Sequence, residues 1–226
     1  MSERLFQGIE LLPGSTQARQ LFILLHGVGA SPEDLVPLAK KLGHVFPDAA
    51  FLLPDGIFPF DGGGNGRQWF SIRGVTEENR VDRVAEVIGY LHKMVSHAQD
   101  RFNVLQPDTA LVGFSQGAIM ALEFAKAHDG KVGRVLAFSG RFAKLPDVAP
   151  ELTTLHLLHG ENDPVIPVRH ARAAYEKLMQ LNGDATLDVA SSVGHEIHAA
   201  LADRAIYRLQ TCIPLRSWQK ALSSTA

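Results

Sequence analysis

Six short, apolar runs separated by amphipathic stretches constrain this chain more than any other feature. They are LFILLH (21–26), AFLL (50–53), TALVGF (109–114), VLAF (135–138), TLHLLH (154–159) and TLDVA (186–190). Most are apolar on successive residues, not alternate ones. A strand buried on both faces reads that way, as in a parallel sheet covered by helices. Between the runs the apolar period changes to that of a helix. Ser31-Pro32-Glu33-Asp34 is a start signal, with Leu35, Leu38, Ala39 and Leu42 following at helical spacing. Thr76-Glu77-Glu78 opens a second helix, with Val81, Val84, Ala85, Ile88, Leu91 and Val95 on one face. Further helices are expected over about 116–128, 167–181 and 196–211.

Strands alternating with helices require crossover connections and give an α/β class with a mostly parallel sheet flanked by helices. The 226 residues suffice for one such domain, spanning 1–226. In open sheets of this kind the site lies beyond the carboxyl ends of the strands. The residues just after each apolar run are therefore the ones to inspect.

Composition removes several function classes. With 22 Lys+Arg against 24 Asp+Glu and no basic tract, nucleic acid is not an expected partner. No run of 18 apolar residues exists, so no integral membrane segment is expected. The opening MSERLFQGIE lacks an apolar core and does not read as a secretory leader. A single cysteine, Cys212, excludes an internal disulfide and suits a reducing, cytoplasmic setting.

Gly113-Phe114-Ser115-Gln116-Gly117 follows the run at 109–112 and precedes the helical AIMALEFAKAH. G-x-S-x-G between strand and helix is the pattern of a nucleophile elbow. The turn is so tight that the serine is strained and its neighbours must lack a Cβ. The hydroxyl is then held at a helix N-terminus, where developing negative charge is favoured.

A serine needs a base, and the base needs an orienting acid, in the chain order Ser…Asp/Glu…His. Ten histidines compete for the role of base. His92, His97 and His128 fall within expected helices and His44 in a helix's last turn. His156 lies inside a buried-looking run. His26 and His159 end strands before a glycine. His195, in Ser191-Ser192-Val193-Gly194-His195, stands in a loop after the last strand and is the expected base, with His198 as fallback. The acid should follow the preceding strand, where His159-Gly160-Glu161-Asn162-Asp163-Pro164 points to Asp163. Glu161 is its competitor; Asp184 and Asp188 are less well placed. Two oxyanion donors are expected: the N–H of Gln116 and, from His26-Gly27-Val28-Gly29-Ala30, the N–H of Val28.

With these pieces in order the chain resembles an α/β-hydrolase and, more closely, the bacterial phospholipase/carboxylesterase family that includes the acyl-protein thioesterases. The stretches that carry the likeness are LLHGVGASPEDL, RQWFSI, VGFSQGAIMAL, LHGENDPVIPV and VGHEIHAAL. The resemblance implies Ser115, Asp163 and His195 as a triad and Val28 and Gln116 as the oxyanion hole. It implies hydrolysis of small-molecule carboxylic esters, or thioesters, through an acyl-enzyme, without a cofactor. Acyl-protein thioesterase or lysophospholipase activity is the alternative. The acyl-protein thioesterases have Leu where Val28 stands and Gly where Ala118 stands, and their acyl-binding loop differs from residues 55–75. Protein depalmitoylation therefore does not carry over directly.

The longest irregular stretch, 54–75, holds Phe58, Phe60, Trp69 and Phe70 around a glycine-rich tip, Gly62 to Gly66. Phe58, Trp69 and Phe70, with Phe142, are the expected wall of a substrate pocket. The glycine cluster lacks the GK[ST] of a phosphate loop. The connection SGRFAKLPDVAPELT is too short for a helical cap domain, so an open site is expected. No His/Asp/Glu cluster has metal-ligand spacing, and Cys212 has no positioned base. A homodimer is left open. A non-catalytic receptor would normally lack a triad member, a peptidase would normally carry an extra domain, and dienelactone-type hydrolases typically carry Cys at the position of Ser115.

Overall fold

The computed structural model describes residues 6–14 and 17–223. The leader reading rests partly on residues 1–5, which lie outside the described residues. The strands are β1 (Gly8–Leu11), β2 (Gln20–Leu25), β3 (Ala49–Pro54), β4 (Phe58–Pro59), β5 (Arg67–Gln68), β6 (Thr109–Phe114), β7 (Arg134–Phe138), β8 (Thr154–Gly160) and β9 (Ala185–Ala190). The helices are α1 (Val36–Val45), α2 (Arg80–Phe102), α3 (Gln116–Ala127), α4 (Arg169–Gln180), α5 (Ala199–Thr211) and α6 (Leu215–Ser223). Among the described residues, seven strands form one sheet in the order β1-β3-β2-β6-β7-β8-β9. Only β1 runs antiparallel, paired with β3.

Both faces of the sheet are covered, as the apolar runs require. Along β2, Leu21, Ile23 and Leu25 enter one core with α2, α3 and α4. Phe22 and Leu24 enter the other with α1 and α5. Successive side chains of a strand point to opposite faces, so a run apolar at every position serves two cores. Each fully buried Leu or Phe contributes about 1.5–3 kcal/mol of transfer free energy, upper-bound bookkeeping that chain entropy offsets.

The register aligns the strand ends. Leu25 lies opposite Gly113, Phe114 opposite Phe138, and Gly160 opposite Ala190. The loops that follow β2, β6, β8 and β9 consequently emerge along one rim. The connection 139–153 contains no helix, so no cap rises over that rim.

Several details differ from the sequence reading. Pro32 to Leu35 form a 3-10 turn, and α1 begins at Val36. The Ser31 N–H donates to the Asp34 carboxylate at 2.9 Å, which fixes that start. Helix α2 is regular only from Arg80. Strand β1, the β4–β5 hairpin and α6 have no counterpart in the apolar pattern, being short or polar; α5 is thus not the last helix. Residues 54–75 are not an unstructured loop: Arg67 donates to the Gly56 and Ile57 carbonyls at 2.9 and 3.2 Å, and Asp61 accepts from Ser71, Ile72 and Arg73.

Candidate active site

Ser115 is the single residue between β6 and α3, with φ 53° and ψ −114°. A non-glycine residue there is strained by about 1–3 kcal/mol, and the surroundings must hold it. Two close approaches do so. A Cβ on Gly113 would collide with the Gly117 carbonyl, and a Cβ on Gly117 with the Leu25 carbonyl. The Ser115 N–H donates to the Phe138 carbonyl at 2.9 Å, and the Ser115 carbonyl accepts from Ile119 at 3.1 Å. The glycines of the motif are therefore required by packing of α3 against β6 at Gly113 and against β2 at Gly117.

The sheet brings the three expected side chains together. His195 Nε2 lies 2.9 Å from Ser115 Oγ, and His195 Nδ1 lies 2.7 Å from Asp163 Oδ2. A carboxylate only accepts, so Nδ1 carries the proton and Nε2 presents a lone pair to the serine hydroxyl. The Asp163 side chain is fully buried and that of His195 is partly exposed. Asp163 Oδ1 accepts from the Val165 and Ile166 N–H groups, both at 2.9 Å. Burial by itself would raise the Asp163 carboxyl, but the bonds from His195, Ile166 and Val165 outweigh it and hold the group below the usual carboxylate range. His159 Nε2 donates to the Ile166 carbonyl at 2.7 Å and lies 3.4 Å from Asp163 Oδ2. Burial lowers its affinity for a proton.

The competing residues are committed elsewhere. Asp188 is held by Arg204 and Arg208, Asp184 accepts from Thr154 and Leu215, and Glu161 lies 3.5 Å from Arg172. His198 caps α5 by accepting from Ala200. His156 bonds Thr186 and Arg134 inside the sheet, and burial lowers its pKa to about 3. Cys212 ends α5, where its carbonyl accepts from Arg134.

The loop after β2 is braced from behind. His26 Nδ1 donates to the Gly27 carbonyl at 2.7 Å, while its Nε2 accepts from Gly56 at 2.9 Å. Gly29 and Ala30 exchange backbone bonds with Arg67 at 2.8 and 2.9 Å. Trp69 Nε1 donates to the His26 carbonyl at 3.0 Å. Among the described residues, the N–H groups of Val28 and Gln116 have no protein acceptor. Those are the two donors expected from the sequence.

The aromatic wall is a correction. Trp69, Phe70 and Phe142 are 0%, 3% and 2% exposed, packed in the core beneath α2 and α3, while Phe58 projects into solvent on β4. An aromatic-rich loop suggests a pocket because composition does not distinguish a ring that faces a substrate from one that props up backbone. Trp69 and Phe70 do the latter, through a residue whose side chain the sequence reading did not weigh. Gln116 accepts from the Trp69 N–H and donates to the Phe70 carbonyl, both at 2.7 Å. The cleft that does open beside His195 lies between the 26–30 loop and the starts of α1 and α5. It holds about 740 Å³. Leu35 and Leu38 at helical spacing, and Ile197 just after His195, were the available signal for it.

Among the described residues no group of three or more His, Cys, Asp or Glu side chains could hold a metal ion, and no helix is long and apolar enough to cross a membrane.

The phospholipase/carboxylesterase family pattern matches residues 7–213. Esterase YpfH of Escherichia coli (strain K12) is 43% identical over 206 residues, covering 91% of this chain and 88% of that protein. Acyl-protein thioesterase 1 of Saccharomyces cerevisiae is 28% identical over 180 residues, covering 71% and 78%. The crystal structure of esterase PE8 superposes with a TM-score of 0.82 at 29% identity, covering 92% of this chain and 99% of that one.

Proposed function

Because this chain belongs to the phospholipase/carboxylesterase family and is a carboxylic ester hydrolase of the α/β-hydrolase fold, we propose that Ser115, His195 and Asp163 carry its chemistry as nucleophile, base and orienting acid. The chain works as one domain. Ser115 Oγ attacks the acyl carbon while its proton passes to His195 Nε2. Asp163 holds the imidazole tautomer and stabilises the imidazolium, without taking the proton itself. The carbonyl oxygen, now anionic, is held by the Val28 and Gln116 N–H groups, each worth about 3 kcal/mol of barrier. Collapse expels the alcohol or thiol, which takes the proton from His195. Water activated by the same imidazole then clears the acyl-enzyme.

The observation that supports this most is the unbroken hydrogen-bond path from Ser115 through His195 to Asp163, at 2.9 and 2.7 Å. The test is Ser115→Ala. We expect circular dichroism unchanged, hydrolysis of p-nitrophenyl esters abolished, and labelling by a fluorophosphonate lost. A variant that still turns over or labels would refute the assignment.

Thioesters are the second class of substrate in this reading. The supporting observation is the likeness to acyl-protein thioesterase 1, extending over 71% of the chain. A scan of acyl-CoA thioesters beside p-nitrophenyl esters separates the two. Small neutral esters, not nucleic acid, are the partners proposed, and the single Cys212 fits a reducing cytoplasm.

A further inference from the structure

We infer that the cleft between the 26–30 loop and the starts of α1 and α5 receives the leaving group of the ester, and that this group is an uncharged, mostly apolar alcohol or thiol. The inference rests on the reading of Ser115, His195 and Val28 given above.

The departing oxygen or sulfur must take its proton from His195 Nε2, so the leaving group lies on the imidazole's side of Ser115. His195 and Val28 both line the cleft, as does Phe114, whose ring centroid is 5.0 Å from the imidazole. No residue of α3 or of the 139–153 connection lines it, so the whole cleft lies on the α1–α5 side of the sheet. Across Ser115, on the α2–α3 side, Trp69, Phe70 and Phe142 are packed into the core. The ester must straddle the serine, and the large space is on the leaving-group side.

The lining sets the chemistry. Leu35, Leu38, Ile197 and Ala202 supply apolar walls, and a volume of about 740 Å³ suits a group well beyond methyl or ethyl. Asp34 and Glu196 stand among the lining residues as anions. The lysine there, Lys41, is paired with Asp203 at 2.6 Å. An anionic leaving group would meet like charge with little compensation.

The experiment uses two ester series on the full chain: acetates of alcohols from ethyl to octyl, and ethyl esters of acids from acetate to octanoate. The variants are Ala199→Trp and Ile197→Ala. Ala199 is exposed, begins α5 and lines the cleft, so a tryptophan there fills it without disturbing the core. For the wild type, kcat/KM should rise about two- to fourfold per methylene of the alcohol until the cleft is full. In Ala199→Trp the preference for octyl over ethyl acetate should fall by about tenfold, while the acyl-series preference moves less than about threefold. Ile197→Ala should shift the optimum toward longer alcohols, and it decides the matter if the tryptophan variant does not fold. The acetate of 6-hydroxyhexanoate should be at least about tenfold poorer than hexyl acetate. A penalty that falls on the acyl series, or on neither, overturns the inference, as does equal turnover of the charged and uncharged alcohols. Ser115→Ala is run alongside. If it still hydrolyses either series the catalytic reading has failed, whereas Ser115-dependent hydrolysis with the wrong pattern sinks only the leaving-group assignment.

Discussion

Replacing Gln116 by Met separates what its backbone does from what its side chain does. The N–H of residue 116 stays at the head of α3. What disappears is an acceptor for the Trp69 N–H and a donor to the Phe70 carbonyl, each at 2.7 Å between buried groups. A buried backbone group left without a partner costs about 1–3 kcal/mol, so two cost about 2–6 kcal/mol. Burial of the apolar Met side chain offsets part of that, leaving a loss near 3 kcal/mol. For a domain of this size that lowers Tm by about 6–12 °C. Catalysis should suffer less, with kcat/KM falling by under about tenfold, because the N–H proposed as oxyanion donor is retained. Gln116→Glu keeps the shape but sets a carboxylate oxygen against the Phe70 carbonyl, acceptor against acceptor. Its folded form favours the protonated acid, so its stability deficit should shrink as pH falls. Thermal melts at pH 8 and pH 5, with p-nitrophenyl ester kinetics at 25 °C, test both variants. A Met variant melting within about 2 °C of wild type, or a Glu variant whose deficit ignores pH, would refute the reasoning.

Three further predictions concern other buried positions. Gly117→Ala puts a Cβ into the Leu25 carbonyl, so α3 must shift; fluorophosphonate labelling should slow by at least about tenfold, and labelling at the wild-type rate would remove the close-approach argument. His159→Phe leaves the Ile166 carbonyl without its donor and loosens the turn that aims Asp163, so kcat should drop by about tenfold, whereas His159→Gln should recover part of it. His156, lowered to about 3 by burial, stays neutral in the folded protein while the unfolded chain takes up a proton below about 6.5. Its contribution is thus fully present above that pH and is lost as pH falls toward 3, by about 1.4 kcal/mol per unit. Urea unfolding at stepped pH should show a flatter acid limb in His156→Gln, and parallel limbs would contradict this.

The candidate site is legible in the sequence because each of its proposed members lies where an apolar run stops. A hydroxyl between two glycines, Asp163 before a proline and His195 after a glycine are local signals. The sheet order converts them into neighbours without further information. Trp69, Phe70 and Phe142 were misread because burial is decided by what the rest of the chain stacks on a ring. The sequence of 54–75 does not record that Gln116, 46 residues further on than Phe70, reaches back to hold it. The cleft was missed for a related reason. Its walls come from α1, β6 and α5, and each wall alone looks like an ordinary core face. Strand β1 and helix α6 escaped because a four-residue edge strand and a short polar C-terminal helix carry too few apolar positions to show a period.

The proposed nucleophile belongs to one layer of the molecule and the proposed base to the other. Ser115 is positioned by α3 against β2, while His195 arrives only with the β9–α5 segment near the end of the chain. A nascent or truncated polypeptide that stops short of this segment could complete the elbow and six of the seven strands and still be chemically inert. Hydrolytic competence thereby requires the β9–α5 segment to have docked, and its first appearance during refolding would report that event.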